Sequence, residues 1–200
     1  MSSITKAIRK IHRWAGRVVG LQIVFWIAGG LVMSVLPIEQ VRGVHLVEHA
    51  APVPTVINNQ VAAQILADQS VSALNGYRID GRHYITATVS GVTHYLNADT
   101  GQPLATIDSA QAQHLAAYYF IEQANVVDTL LTKQTTVEAR GLTPPFWSVT
   151  LDDNLNTTLY LHSITGELLK VRSDMWRLFD FVWMLHIMDY DERSNFNHWL

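Results

Sequence analysis

The chain has 200 residues, a formal net charge of −3 and no cysteine. Without cysteine, disulfides, thiolate metal sites, iron–sulfur clusters and cysteine nucleophiles are all excluded. The acidic balance argues against nucleic acid as a partner, because a binding surface would need a basic excess, and a charged fraction of 16% suits a chain partly dissolved in lipid.

The first predicted element is a transmembrane helix over residues 18–36, where Gln22 and Ser34 are the only clearly polar residues. A helix of that length rises about 28 Å, close to the ~30 Å thickness of a bilayer core. The residues before it include no acid and these bases: Lys6, Arg9, Lys10, Arg13 and Arg17. The positive-inside rule therefore predicts a cytoplasmic N-terminus, with the chain after about residue 38 on the outer side. A cleaved signal peptide is the alternative, although the apolar run is long for one.

Gly16 and Gly20 form a GxxxG step at the start of this helix. Small residues four apart let another helix approach closely, so we expect a partner helix from a second copy or from another protein. His12 lies on the same stripe, where the glycines leave room for a large flat group such as haem. The alternatives are that glycine is simply common in membrane helices and that His12 lies among lipid headgroups.

The region after the membrane helix contains a repeat. Residues 95–101 and 160–166 both begin with Tyr-Leu and end with Thr-Gly. Upstream of them, residues 84–89 and 146–151 alternate as β-strands do. The two stretches therefore predict two similar structural units in tandem.

Each unit is predicted to place a helix before its strands. The helix over residues 58–69 has an asparagine, Asn58 or its neighbour, as N-cap, and the helix over residues 108–124 begins at Asp108 or Ser109. Ser-Gly at residues 90–91 predicts a tight hairpin turn. Each unit thus runs helix, strand, hairpin, strand, Thr-Gly turn and short strand, an α+β arrangement in which a helix covers one face of a small antiparallel sheet.

Residues 175–190 predict an amphipathic aromatic helix, too charged and too short to span lipid comfortably. Its expected contact residues are Trp176, Phe179 and Trp183. His186 falls among the apolar residues, opposite Arg177 and Asp180. Such a helix suits the membrane surface or a groove against the outer domain, and the chain turns apolar again towards Leu200 as an interrupted membrane helix would.

Four segments follow from these elements. Residues 1–37 hold the basic N-terminus and the transmembrane helix, and residues 174–200 hold the aromatic helix and the start of a second membrane segment. Between them lie two helix-on-sheet units, residues 38–107 and 108–173.

These features resemble a known family, the PepSY domain proteins with PepSY-associated transmembrane helices. Residues 11–16, Ile-His-Arg-Trp-Ala-Gly, are similar to the family's His-Arg-Trp-x-Gly approach to the membrane. The duplicated strand with its Tyr-Leu and Thr-Gly positions is the second likeness. The third and most specific is residues 176–190, similar to the segment that leads these proteins back into the membrane. Together the three stretches span nearly the whole chain.

The resemblance implies two PepSY-like units on the periplasmic side of a bacterial inner membrane. It also implies a second transmembrane helix after about residue 196, a pattern from which this sequence departs by ending at Leu200. Some family members resemble protease propeptides and bind peptidases, whereas others sit in membrane proteins linked to ferric-siderophore reduction with haem b. His12 and His186 match the family's membrane histidines and are the candidate haem ligands. Because they lie toward opposite membrane sides, each would need a histidine from another helix.

The remaining histidines and acids are better explained by structural roles than by metal binding. His45 and His49 are four residues apart and, with Glu48, could approach a metal, but two or three ligands at one helix turn are too few to predict a site. The register of the hairpin at residues 90–91 keeps His83 and His94 from facing each other. Three acids after the aromatic helix are interpreted as a solvated cap: Asp189, Asp191 and Glu192.

The sequence therefore predicts a non-enzymatic, membrane-tethered periplasmic module that binds or regulates another protein. Its partners would be the lipid bilayer, another membrane helix and a periplasmic protein, with exposed sheet edges and the aromatic helix as contact surfaces. The alternative is a haem b-binding subunit of a membrane ferric-siderophore reductase, and any enzymatic role would be as a component of such an oxidoreductase. No hydrolase, P-loop or dinucleotide motif is present.

Overall fold

The computed structural model describes residues 3–48, 51–67 and 70–187. Their contacts separate them into a helical unit, residues 3–42 with 174–187, and a sheet unit, Gly43–Ser173. The fold class is α+β, as predicted: a long apolar N-terminal helix, and two four-stranded antiparallel sheets accompanied by helices.

The helical unit contains α1 (Ser3–Val35), the short α2 (Ile38–Val41) and α5 (Asp174–Ile187). α1 is long and apolar enough to cross a membrane, and Gly29 is the only buried residue among those described in it. Because its large apolar side chains are exposed, α1 is not the core helix of a soluble domain, which would bury one face.

α5 packs against the second half of α1 in antiparallel orientation. Val182 of α5 lies at Gly29, and His186, one turn further along α5, reaches back to Trp26. The sequence placed this helix at the membrane surface or against the outer domain, whereas the structure pairs it with the apolar helix.

The first sheet has the order β1-β2-β3-β4. Its strands are β1 (Val53–Pro54), β2 (Val71–Ile79), β3 (Arg82–Val89) and β4 (Val92–Asn97), and α3 (Asn59–Leu66) lies between β1 and β2 in the chain. The side chain of Asn58 accepts a hydrogen bond from the Gln60 amide at 2.8 Å, which confirms the predicted N-cap. The hairpin turn after β3 is confirmed too, with φ of 50° at Ser90 and 81° at Gly91. His94 pairs with Ala87 and therefore does not face His83, as expected.

The second sheet has the order β5-β6-β7-β8. Its strands are β5 (Val126–Thr132), β6 (Phe146–Leu151), β7 (Thr158–His162) and β8 (Leu168–Arg172), preceded by α4 (Ser109–Tyr119). Asp108 caps α4 through a capping box with Gln111, which satisfies two backbone amides that the helix itself leaves without partners. The bounds of β6 coincide with the predicted strand.

One hydrophobic core joins the two sheets within the sheet unit. α4 contributes Ala112, Leu115, Ala116 and Tyr119 to it. The strands contribute Ile79 and Tyr84 from the first sheet and Trp147, Val149, Leu151, Leu159, Leu161 and Val171 from the second. Since α4 supplies apolar side chains to a core that both sheets share, it ties the two repeats together.

The structure departs from the expected elements in several places. The strands β1, β2 and β5 and the short helix α2 were not predicted. The helix expected over residues 108–124 ends at Tyr119, because Phe120 leaves it and bridges to Val47. The short strand expected after the first Thr-Gly turn is reduced to a single bridge at Pro103, a residue that has no N–H to extend a ladder.

Candidate functional site

The packing of α5 on α1 sets a histidine against a glycine pair. A Cβ placed on Gly30 would lie 3.3 Å from Cε1 of His186, and one on Gly29 would lie 3.4 Å from Val182. The His186 ring stacks on the indole of Trp26, with the ring centroids 4.9 Å apart and the planes at 12°. The missing side chains at Gly29 and Gly30 therefore allow the imidazole to lie close to the α1 backbone.

One nitrogen of His186 is held by the backbone of α1. Nδ1 lies 3.0 Å from the carbonyl oxygen of Trp26. A carbonyl oxygen only accepts, so Nδ1 donates its proton, and in the neutral imidazole Nε2 then carries the lone pair. An imidazole oriented through Nδ1–H and offering Nε2 is the arrangement that metal- and haem-ligating histidines use. His186 in that state has one nitrogen, Nε2, able to ligate a metal ion.

His12 lies far from this contact. It precedes Trp26 by fourteen residues of the same helix, a rise of about 21 Å, so the structure does not bring the two candidate haem ligands together. A Cβ on Gly16 or Gly20 would meet nothing within 4 Å. That stripe of α1 is open in the described part of the chain, and a partner helix there stays a prediction.

The aromatic contact residues of α5 are half-buried: Trp176, Phe179 and Trp183. Asp180, expected on the polar side of the helix with Arg177, is instead its buried residue at 6% exposure, while Leu178 and Phe181 are each 52% exposed. The three acids interpreted as a solvated cap, Asp189, Asp191 and Glu192, lie outside the described residues.

The metal candidates near the start of the sheet unit are only partly described by the structure. His45 lies in a 3-10 turn, Val44–Leu46, and His49 is outside the described residues. Across the part of the chain that the structure describes, no group of three or more histidine, aspartate or glutamate side chains could hold a metal ion.

A different surface is formed by the edge strand β5. It pairs only with β6 among the described strands, and Val127 and Leu130 on it are 66% and 56% exposed. A cleft of about 280 Å³ opens at its beginning, lined by Phe120, Ile121 and Val126 among others. A strand edge that meets no second strand among the described residues, beside a cleft of mixed polarity that also includes Glu122 and Gln123, offers backbone hydrogen bonds and a side-chain pocket to an extended peptide.

The two Thr-Gly turns are closed by equivalent residues of different chemistry. In the first, Oδ1 of Asn97 accepts hydrogen bonds from the amides of Asp99 at 2.8 Å and Thr100 at 3.0 Å. In the second, Nδ1 of His162 accepts from the amide of Thr165 at 3.2 Å. Since an amide only donates, His162 holds its proton on Nε2 and is neutral here. Burial lowers the pKa of His162 from its ordinary value, which favours the same state.

Comparison with known proteins found no matching family model, no similar curated protein and no similar solved structure.

Sequence reasoning missed the residues of the β5 edge and one basic residue, Arg82. A signal existed for β5, because residues 126–132 are rich in β-branched and aliphatic residues. For Arg82 no local sequence signal existed, because its burial depends on packing against Gly166 and Leu115, which are distant in the chain.

Proposed function

We propose that this protein is a membrane-anchored binding module whose sheet unit recruits an extended segment of a partner protein along β5. The observation that carries the proposal is the outer edge of β5, which pairs with no second strand among the described residues and carries the exposed Val127 and Leu130. Main-chain hydrogen bonds along the edge supply affinity, and the cleft at Ile121 accepts a side chain of the partner.

The same strand restricts which segments can bind. A bulge between Val126 and Asp128 interrupts its regular register, and bulges and charges on edge strands discourage indiscriminate pairing. Asp128 lies between the two exposed apolar residues, so the favoured partner strand carries an opposite charge, a lysine or arginine, at the facing position.

The proposal includes a location and a family. Support for an inner-membrane anchor with a cytoplasmic N-terminus comes from α1, whose basic residues all precede its apolar run. The sheet unit would then lie in the periplasm. Support for membership of the PepSY domain family comes from the sequence resemblance together with two four-stranded sheets, each with a helix before its longer strands.

The binding proposal is tested by photo-crosslinking from the edge in native membranes. A photoreactive amino acid replaces Leu130, and the matched control replaces Val56, which is 91% exposed in a loop outside β5. We expect a discrete adduct from position 130 only, lost when Val127→Lys is added to the same chain. Equal adducts from both positions, or persistence in the lysine variant, would contradict the proposal.

A second candidate function is haem b binding in a membrane redox system. The observation that favours it is the Nδ1 contact of His186 with the Trp26 carbonyl, which leaves Nε2 available as a ligand. His186, together with a histidine of another chain or helix, would hold the haem, which would supply one-electron transfer. His12 is the corresponding candidate near the cytoplasmic end of α1.

The visible spectrum of detergent-purified protein tests this second candidate. A reducible Soret band that is lost in His186→Ala, and kept in His114→Ala as a control for an exposed histidine of the sheet unit, would support it. A colourless preparation from haem-replete cells would exclude it.

A further inference from the structure

Arg82 is a basic residue of the sheet unit whose charge is incompletely matched. It opens β3, directly after the Asp80–Gly81 turn. Its Nη1 is buried and has no hydrogen-bond partner within the part of the chain that the structure describes. Burying a guanidinium nitrogen without an acceptor is unfavourable, so a feature of this kind calls for an explanation.

Two of the carboxylates near Arg82, those of Asp108 and Asp80, have other partners. Oδ1 of Asp108 accepts the amide of Gln111 at 2.8 Å as the cap of α4. Oδ2 of Asp80 lies 2.7 Å from Nε2 of His114. Burial lowers the pKa of the Arg82 guanidinium, and the nearby Tyr119 and Asp108 offset this only in part. Nη1 itself has almost no accessible surface, but the Arg82 side chain as a whole is only half-buried. An additional acceptor would therefore reach the guanidinium through the part of it that lines the clefts.

Two clefts meet at this side chain. One, of about 240 Å³, is lined by Arg82, His83, Tyr84, Asn97, Asp99 and Thr165. The other, of about 410 Å³, lies along the first turn of α4 and is lined by Asp80, Asp108 and His114. The wall behind the guanidinium is the turn of the second repeat, since a Cβ on Gly166 would lie 3.6 Å from Nη1.

We propose that Arg82 anchors a binding site for a single oxyanion, a carboxylate or a phosphate group, in the 240 Å³ cleft between the two repeats. The planar fork of a guanidinium matches the oxygens of either group. His83 lies in the same cleft as a second donor.

The surrounding charges limit the class of ligand. Asp99 lines this cleft, and Asp80 and Asp108 line the neighbouring one. Repulsion from three carboxylates disfavours polyanions, so the ligand carries one oxyanion on a small polar body. Nucleic acids and polyphosphates are therefore disfavoured as ligands. The cleft shares no lining residue with β5, α1 or α5.

The test uses the full chain in detergent and follows thermal unfolding with inorganic phosphate or acetate, each matched by chloride at equal ionic strength. Wild type is compared with Arg82→Gln and with Arg78→Gln, which removes the same charge from an exposed position on β2. We expect a saturable rise in Tm with at least one probe for wild type and Arg78→Gln. Binding should weaken at least about tenfold in Arg82→Gln, as the loss of a charge-assisted hydrogen bond implies.

Unfolding without added oxyanion separates this role from a structural one. If Arg82 serves ligand binding and does not stabilise the fold, the Arg82→Gln protein should unfold at the same temperature as Arg78→Gln or higher. The reason is that the substitution removes a partly buried charge that is poorly matched. A lower Tm for Arg82→Gln with an unchanged response to the oxyanions would overturn the proposal. An equal response in all three proteins, or no response to either probe, would overturn it as well.

Discussion

Gly101 and Gly166 occupy equivalent positions in the two Thr-Gly turns but have different surroundings. Both have positive φ, 69° and 78°. A Cβ on Gly101 would make ordinary contact with Val61 at 3.4 Å, whereas one on Gly166 would overlap Leu115. The first turn therefore needs glycine for its backbone alone, and the second needs it for both backbone and packing.

Substituting alanine for each glycine should separate these two effects. We expect Gly101→Ala to lower the free energy of unfolding by about 1 kcal/mol through left-handed backbone strain. Gly166→Ala should lower it by about 2–4 kcal/mol, since overpacking against Leu115 adds to that strain. Chemical denaturation of both variants measures the difference, and equal losses would show that Leu115 moves aside freely.

His162 should make the second repeat sensitive to acid. Its Nδ1 accepts amide and hydroxyl hydrogen bonds in the turn, and burial lowers its folded pKa below the ordinary 6.5. The unfolded chain thus binds the proton more readily, so stability is fully present above about pH 6.5 and is lost as the pH falls towards the folded pKa. Tm measured across this range should decrease with acidification.

His162→Asn is the matched control, because asparagine closes the equivalent first turn at Asn97. This variant should keep the turn and flatten the pH dependence below 6.5. Burial raises the pKa of Glu167, which contributes in the opposite direction, with stability lost as the pH rises. That contribution is common to both proteins and cancels in the comparison. Identical pH profiles would contradict the role assigned to His162.

At the level of elements, the antiparallel pairing of α1 and α5 is the least expected feature of the structure. The absence of native cysteine makes it directly testable by engineered disulfides. Gly29→Cys with Val182→Cys should oxidise readily, because a Cβ at residue 29 would lie 3.4 Å from the Val182 side chain. Gly16→Cys with Val182→Cys is the control and should remain reduced. Equal oxidation of both pairs, judged by gel mobility, would contradict the pairing.

The features that depend only on neighbouring residues were predicted correctly from the sequence. The cap at Asn58, the hairpin at residues 90–91 and the limits of β6 follow from capping, positive φ and alternation. β2 was missed because Asn75 and Gly76 interrupt its pattern. Gly76 is nevertheless required there, since a Cβ would lie 2.7 Å from the Thr55 carbonyl oxygen. That contact joins segments far apart in the chain, and no local pattern records it.

The candidate sites were predictable to different extents. His186 and the aromatic residues of α5 were singled out from sequence, but their contact with Trp26, Gly29 and Gly30 depends on helix pairing across most of the chain. Arg82 could not be found in advance, because its environment is assembled from α4 and the second Thr-Gly turn. Residue types indicated chemistry, whereas tertiary packing decided which groups meet.

For the whole molecule, the account depends on α1 spanning a membrane with the sheet unit on the outer side. Exposed apolar side chains along α1 are stable in lipid and unfavourable in water. A single-cysteine experiment is clean in this chain, because the background contains none. Ser3 and Ser90 are suitable positions, since both are exposed serines, one at the start of α1 and one at a hairpin tip of the sheet unit.

The most direct measurement labels intact spheroplasts with a membrane-impermeant maleimide. We predict that Ser90→Cys is labelled from outside, that Ser3→Cys is labelled only after permeabilisation, and that both proteins stay in the membrane fraction. Labelling of Ser3→Cys in intact spheroplasts, protection of Ser90→Cys, or recovery of the protein in the soluble fraction would contradict the account.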